Sequence, residues 1–207
     1  MADVQNRKFK LRVTYKKCGV AIWLSQLELA RALEHLVRRS GLPYAVSEGF
    51  SPHMRISFGP ALSVGIEAAS QTFDIYLKDY IAPKKCLDAL QKASQDCLEP
   101  VSCEYVDNKT SIIVNEVANF EVTIDKVVAK VSVPDEIKTI KKHKEKCLKV
   151  SDFLSGEVKL EKVKEGTLIK FSLKQTDAGG LNPSKFVDEM LKKSKLDSAR
   201  IINFKKL

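Results

Sequence analysis

The chain has 207 residues, 44% of them hydrophobic and 29% charged, with a formal net charge of +9 and a pI near 9.2. That much apolar material can build one large or two small cores, and no run of about 18 apolar residues offers a membrane span. Residues 1–9 are polar and lack the apolar stretch of a secretory signal, and the five cysteines (Cys18, Cys86, Cys97, Cys103, Cys147) form no Cys-x-x-Cys pair. The expectation is a cytoplasmic protein with reduced, buried thiols and no membrane partner, disulfide framework, metal site or cofactor.

In chain order, Phe9, Leu11, Val13 and Tyr15 alternate with Lys10, Arg12, Thr14 and Lys16, which predicts a strand with one apolar and one basic face. Ser25 and Glu28 have capping-box spacing, Leu24 and Leu29 occupy the staple positions and Gly41 supplies a stop. The helix between them buries Leu29, Ala32, Leu33, Leu36 and Val37 and turns Arg31, His35, Arg38 and Arg39 outward. Residues 42–67 are rich in Gly, Pro and Ser, with one short strand predicted over 55–58. Phe73, Ile75 and Leu77 alternate inward in the next strand. Pro83 opens a helix striped by Cys86, Leu87, Leu90, Ala93 and Cys97, and Val101, Cys103 and Tyr105 read as a closing strand.

The second half is predicted to follow the same order without a visible repeat. Its elements are a strand over 120–124, a lysine-rich helix over 135–148, and a hairpin of 158–163 with 167–173 around Glu165–Gly166. A helix capped by Asn182–Pro183 and burying Phe186, Val187, Met190 and Leu191 follows, then a strand over 201–205. The expected fold class is α+β: two tandem ferredoxin-like βαββαβ halves with antiparallel sheets, 1–110 and 111–207, divided near the turn residues Asp107, Asn108 and Lys109.

Basic residues concentrate early. Ten lie between Arg7 and Arg55 (Arg7, Lys8, Lys10, Arg12, Lys16, Lys17, Arg31, Arg38, Arg39, Arg55) against three acidic ones (Glu28, Glu34, Glu48). They surround the most unusual segment, Ser47 to Gly65. Gly49, Gly59 and Gly65 there permit positive φ or close approach, and Pro52 and Pro60 stiffen the chain. In an extended stretch His53 and Arg55, two apart, share a face. Backbone N–H groups, an imidazole and a guanidinium at such a loop suit a phosphate or carboxylate. The structural alternative is a rigid loop whose Phe50 and Phe58 plug the core.

The stretch Tyr44-Ala-Val-Ser-Glu-Gly-Phe-Ser-Pro-His-Met-Arg-Ile-Ser-Phe-Gly-Pro-Ala-Leu-Ser-Val-Gly65, preceded by Trp23-Leu-Ser-Gln-Leu-Glu-Leu29 and Arg31-Ala-Leu33, resembles the bacterial radical SAM-linked protein family over about residues 9–98. Members of that family occur alone or joined to a radical SAM enzyme, so the resemblance implies such an enzyme as partner. Here Gln26 and Glu28 replace a usual His and Asp, Ser51 a usual Asn, and Met54 and Ser63 usual prolines. Gly179-Gly-Leu-Asn-Pro183 is similar to a family turn that reads Leu-Arg-Pro, with Asn182 in place of the arginine. In architecture alone, a basic ferredoxin-like pair also resembles CRISPR RNA-processing proteins, a likeness of fold and not of activity.

Three functions follow. The first is an accessory RNA-binding or docking protein working with a radical SAM enzyme, contacting RNA or partner through Lys10, Arg12, Arg31, Arg38, Arg39, Ser47, Glu48, Gly49, Ser51, His53, Arg55 and Gly59. The second is a metal-independent endoribonuclease with His53 as its candidate acid or base, Arg55 or a lysine as phosphate stabiliser, and Tyr15 or Tyr44 assisting. The third is a pure protein-interaction module using Lys138, Lys141, Lys142, Lys144, Lys146 and Lys149. RRM-type base stacking is not expected, because Tyr76 is nearly alone on the open strand faces.

Overall fold

The computed structural model describes residues 9–112, 116–141, 144–176 and 179–207. Arg7, Lys8, Lys142 and His143 lie outside the described residues. The chain divides into two compact units, Met1–Ile112 and Ile113–Leu207, each α+β. No helix among the described residues is long and apolar enough to cross a membrane, which says nothing of a β-barrel.

The first unit runs β1 (Phe9–Lys17), α1 (Gln26–Arg39), β2 (Ile56–Phe58), β3 (Glu67–Leu77), α2 (Pro83–Ala93) and β4 (Leu98–Tyr105). Its antiparallel strands lie in the order β2-β3-β1-β4, a ferredoxin-like arrangement. The alternation in β1 puts Leu11, Val13 and Tyr15 against α1 and α2, where they meet Phe73, Ile75 and Leu77 of β3. Helix α1 begins as its sequence indicates. Ser25 Oγ accepts the Glu28 N–H, and the Glu28 carboxylate accepts the Ser25 N–H at 2.9 Å. Leu33 and Val37 are wholly buried beneath it.

Strand β2 has three residues, with Pro52 and Pro60 on either side of it, and edge strand β4 carries Pro100. Cys97 lies beyond the end of α2, and only Cys86 of the five cysteines is fully buried. Burial raises the Cys103 thiol to about 12 and holds Cys86 above its ordinary value, so neither is a thiolate at neutral pH.

Lys17, one of the ten early basic residues, is not open to solvent. It follows a register shift in β1 and sits fully buried, its ammonium nitrogen without a hydrogen-bond partner, as is the amide nitrogen of Gln71. Burial lowers the Lys17 pKa. Lys17→Met should therefore raise stability by about 1–3 kcal/mol at neutral pH. The unfolded chain holds the lysine proton up to roughly pH 10.4 and the folded chain releases it lower. Stability of the parent therefore climbs with pH between those two values and levels off above the higher one. Urea midpoints from pH 7 to above that value, in parent and variant, check both points; a variant less stable than its parent would refute the reading.

The second unit runs β5 (Glu116–Ile124), β6 (Glu136–Lys141), β7 (Lys144–Lys149), α3 (Val150–Phe153), β8 (Lys159–Val163), β9 (Gly166–Thr176), β10 (Gly179–Gly180), α4 (Pro183–Lys193) and β11 (Ile201–Lys206). Strand β9 pairs with β5, β8 and β10, and β5 also pairs with β11. Phe120, Phe171, Phe186 and Phe204 form its aromatic core, Phe171 and Phe186 with ring centres 4.9 Å apart. Asn182 caps α4 by accepting the Lys185 N–H at 3.0 Å.

The lysine-rich helix predicted over 135–148 is a β-hairpin instead, with Glu136 opposite Lys149 and Ile137 opposite Leu148. The reason lies in the residues. Lysines four apart would repel along a helix, whereas β-branched Ile137, Thr139 and Ile140 favour a strand. Ile137 is buried and Lys138 exposed, a two-residue period.

Candidate functional site

The segment 47–65 is not a single loop. Its first part is a hairpin tip built on the edge of β3. The Ala45 N–H donates to the Tyr76 carbonyl (2.6 Å), the Arg55 N–H to Ala45 (2.8 Å), and the Tyr76 N–H to Arg55 (3.1 Å). Val46 bridges Met54, the Ser47 N–H donates to the His53 carbonyl at 2.7 Å, and the His53 N–H returns to Ser47 Oγ at 3.0 Å. Gly49 takes φ +119°, which only glycine adopts freely, and so makes the turn. The tip carries Glu48, Gly49, Phe50, Ser51 and Pro52 into solvent, with Phe50 wholly exposed. Phe58 packs on the core as expected; Phe50 does not.

Strand β2 then carries the chain along β3 as far as Phe58, opposite Phe73. Gly59 lies four residue steps beyond Arg55, about 13 Å of extended chain. Gly59 donates to the Thr72 carbonyl (3.0 Å) and lies so close that a Cβ would stand 3.0 Å from that oxygen. Gly65, at φ +85°, donates to the Ile22 carbonyl (2.8 Å) in the 3₁₀ turn Gly19–Trp23. Ser47, Glu48, Gly49, Ser51, His53 and Arg55 are thus brought together, and Gly59 is not among them.

The candidate basic contacts fall into three groups. Lys10 and Arg12 lie on the sheet face away from the helices, across from Asp74, whose carboxylate is completely buried. Arg12 Nε and Nη2 fork onto Asp74 at 2.8 and 3.0 Å, and Lys10 Nζ stands 3.2 Å away. Hydrogen bonding to Asp74 raises the Arg12 pKa further. Both cations also donate to backbone carbonyls, Lys10 to Thr110 and Arg12 to Ser111. With Lys16 paired to Glu99 at 3.0 Å and Lys17 buried, much of the early positive charge is neutralised or enclosed. Arg31 and Arg38 are exposed on α1, across the sheet from Lys10 and Arg12, and Arg39 donates to the Ala93 carbonyl through two nitrogens at 3.2 Å. Arg55 lies over the Tyr76 ring at 4.3 Å, a cation–π contact. No one surface of the first unit gathers the whole set.

For acid–base chemistry the tip offers little. His53 Nε2 stands 3.3 Å from Ser51 Oγ, a hydroxyl that cannot supply the charge a general base relies on to hold its proton. Tyr15 is buried against Phe73, and burial pushes its phenol well above the ordinary value. Tyr44 is half-buried beside Leu77. Two features escaped sequence reasoning. Asp74 was concealed as one polar residue in an alternating strand, though an acid facing a Lys-x-Arg strand is a cross-strand signal. Tyr80 lies outside every pattern that marks a strand or a helix, yet stacks on Tyr105 with ring centres 5.0 Å apart.

A family model described as "Uncharacterized protein conserved in bacteria (DUF2344)" matches residues 10–183. No curated protein matches the chain.

Proposed function

The chain belongs to the bacterial DUF2344 family, and on that premise we propose that it is an accessory docking protein that works with a radical SAM enzyme, using hairpin 47–53 as its contact. The observation that carries this reading is Phe50: a wholly exposed aromatic side chain at the tip of a turn held by backbone hydrogen bonds at its base. Leaving a phenyl ring in water forgoes about 1.5–3 kcal/mol of burial, which a partner's pocket recovers. A pinned backbone loses little entropy on docking. The radical SAM partner comes from the motif over 44–65. In this reading the chain is two tandem ferredoxin-like halves, divided in sequence near residue 110. Strands β5, β8, β9 and β11 repeat the order of the first unit, and hairpin β6–β7 stands in place of the first helix.

RNA contact is the second reading, favoured by exposed Arg31, His35 and Arg38 on α1. A catalytic His53 has less support than either, its ring nitrogen standing beside the neutral Ser51 hydroxyl.

The test is calorimetric titration of the chain with a radical SAM enzyme from the same organism, beside a salt series with total RNA. Phe50→Ala should weaken the protein complex at least about 30-fold, the size of an interface hot spot, with little dependence on salt. An unchanged complex in Phe50→Ala would refute the docking reading. RNA binding whose salt slope falls by about one unit in Arg38→Ala would establish the second.

A further inference from the structure

Away from the hairpin, the first unit has a concave aromatic surface that the docking contact leaves unused. Phe9 meets Tyr80 and Tyr105 edge-on, with ring centres 5.8 and 6.1 Å apart, and Tyr80 stacks on Tyr105. Tyr105 is fixed in place: its hydroxyl donates to the Ile81 carbonyl at 2.8 Å and accepts the Ile81 N–H at 3.1 Å. Tyr80 is 61% exposed. These rings, with Lys10, Val106, Asp107 and Asn108, line a cavity of about 400 Å³, large enough for a side chain or small ligand.

The charge of the lining selects the occupant. Lys10 contributes its methylene stem, because its ammonium is committed to Asp74 and the Thr110 carbonyl. Asp107 is exposed, and its carboxylate accepts one backbone N–H, from Lys109 at 2.8 Å. Among the described residues no cation pairs with it, and its second oxygen faces solvent. A surface with flat aromatic faces and one unspent carboxylate repels phosphates and attracts a cation. Among biological cations the guanidinium is planar and weakly hydrated, stacks on aromatic rings and forks onto carboxylates. An ammonium matches the charge and not the flat face.

We propose that this cavity receives an arginine side chain of a partner protein, its guanidinium stacked on Tyr80 and hydrogen-bonded to Asp107. The inference rests on the docking reading for the source of the arginine, and on the cavity alone for its chemistry.

The probe is N-acetyl-arginine amide, titrated into the intact chain while the tyrosine and phenylalanine ring resonances are followed by NMR. The citrulline and lysine counterparts serve as uncharged isostere and non-planar cation. Saturable shifts at Tyr80 and Phe9 are expected at concentrations on the order of millimolar, at least about 10-fold weaker with citrulline or lysine and in Asp107→Asn, and lost in Tyr80→Ala, whose altered side chain is exposed. Equal responses to citrulline or lysine, no saturable shift, or shifts unchanged in both variants would each overturn the proposal. Phe50→Ala should leave the arginine response intact. Loss of the arginine response alongside Phe50-dependent partner binding would thus count against the cavity only, and the reverse pattern against the docking hairpin only.

Discussion

Asp74→Ala should destabilise the protein by about 3–5 kcal/mol, the range for breaking a buried ion pair from one side. Asp74 is wholly enclosed on the face away from the helices, with Arg12 forked onto it and Lys10 beside it. Removing the carboxylate leaves two largely buried cations facing one another, with backbone carbonyls of Thr110 and Ser111 as their remaining acceptors. Changing all three residues together, Asp74→Leu with Lys10→Met and Arg12→Met, should recover most of the loss, because the desolvation cost then disappears with the charges. Urea unfolding of the single and triple variants measures both. A single variant within about 1 kcal/mol of the parent would mean that the cluster is hydrated and the enclosed arrangement wrong.

Gly166→Ala should cost about 2–5 kcal/mol, combining an unfavourable backbone region with overpacking. Gly166 opens β9 after the two-residue turn Lys164–Glu165, at φ +145°. A Cβ built there would overlap the Ile124 carbonyl oxygen on the neighbouring strand. Lys164 and Glu165 have negative φ, so the reversal does not use the primed turns usual in two-residue hairpins and Gly166 absorbs the difference. Gly156→Ala is the control: it also has positive φ, at +78°, but nothing lies within 4 Å of its added methyl. Its cost should stay near 1–2 kcal/mol. Equal midpoint shifts for the two variants in thermal unfolding would show that backbone strain, and not the clash, is decisive.

Local signals carried most of the fold. The Ser25–Glu28 box, the alternation of β1, Pro83 and the Asn182 cap each declare an element within a few residues, and each is found where its chemistry requires. What failed was the lysine-rich stretch before residue 149. Its composition suits a helix, and its strand period is visible only through Ile137 and its neighbours. The site was less legible than the fold because its charges depend on pairing. Nothing local to Lys10 or Arg12 says that Asp74, 62 residues beyond Arg12, will neutralise them. Nor does anything local to Phe50 distinguish a core plug from an exposed tip, since that depends on Val46 meeting Met54. The basic excess between residues 7 and 55 consequently overstated the charge open to a polyanion.

The brevity of β2 and the proline within β4 also restrict how the first unit can be recognised. Partners that attach by contributing a strand need a run of free backbone donors and acceptors along a straight edge. Three residues flanked by prolines, and an edge that lacks one N–H at Pro100, supply no such ladder. Association along β2 or β4 is therefore read through side chains, and backbone pairing there adds little sequence-independent affinity. On the proposed docking reading, fidelity rests on a few positions such as Phe50, so a small number of substitutions would redirect the protein to a new partner while the sheet beneath stays the same.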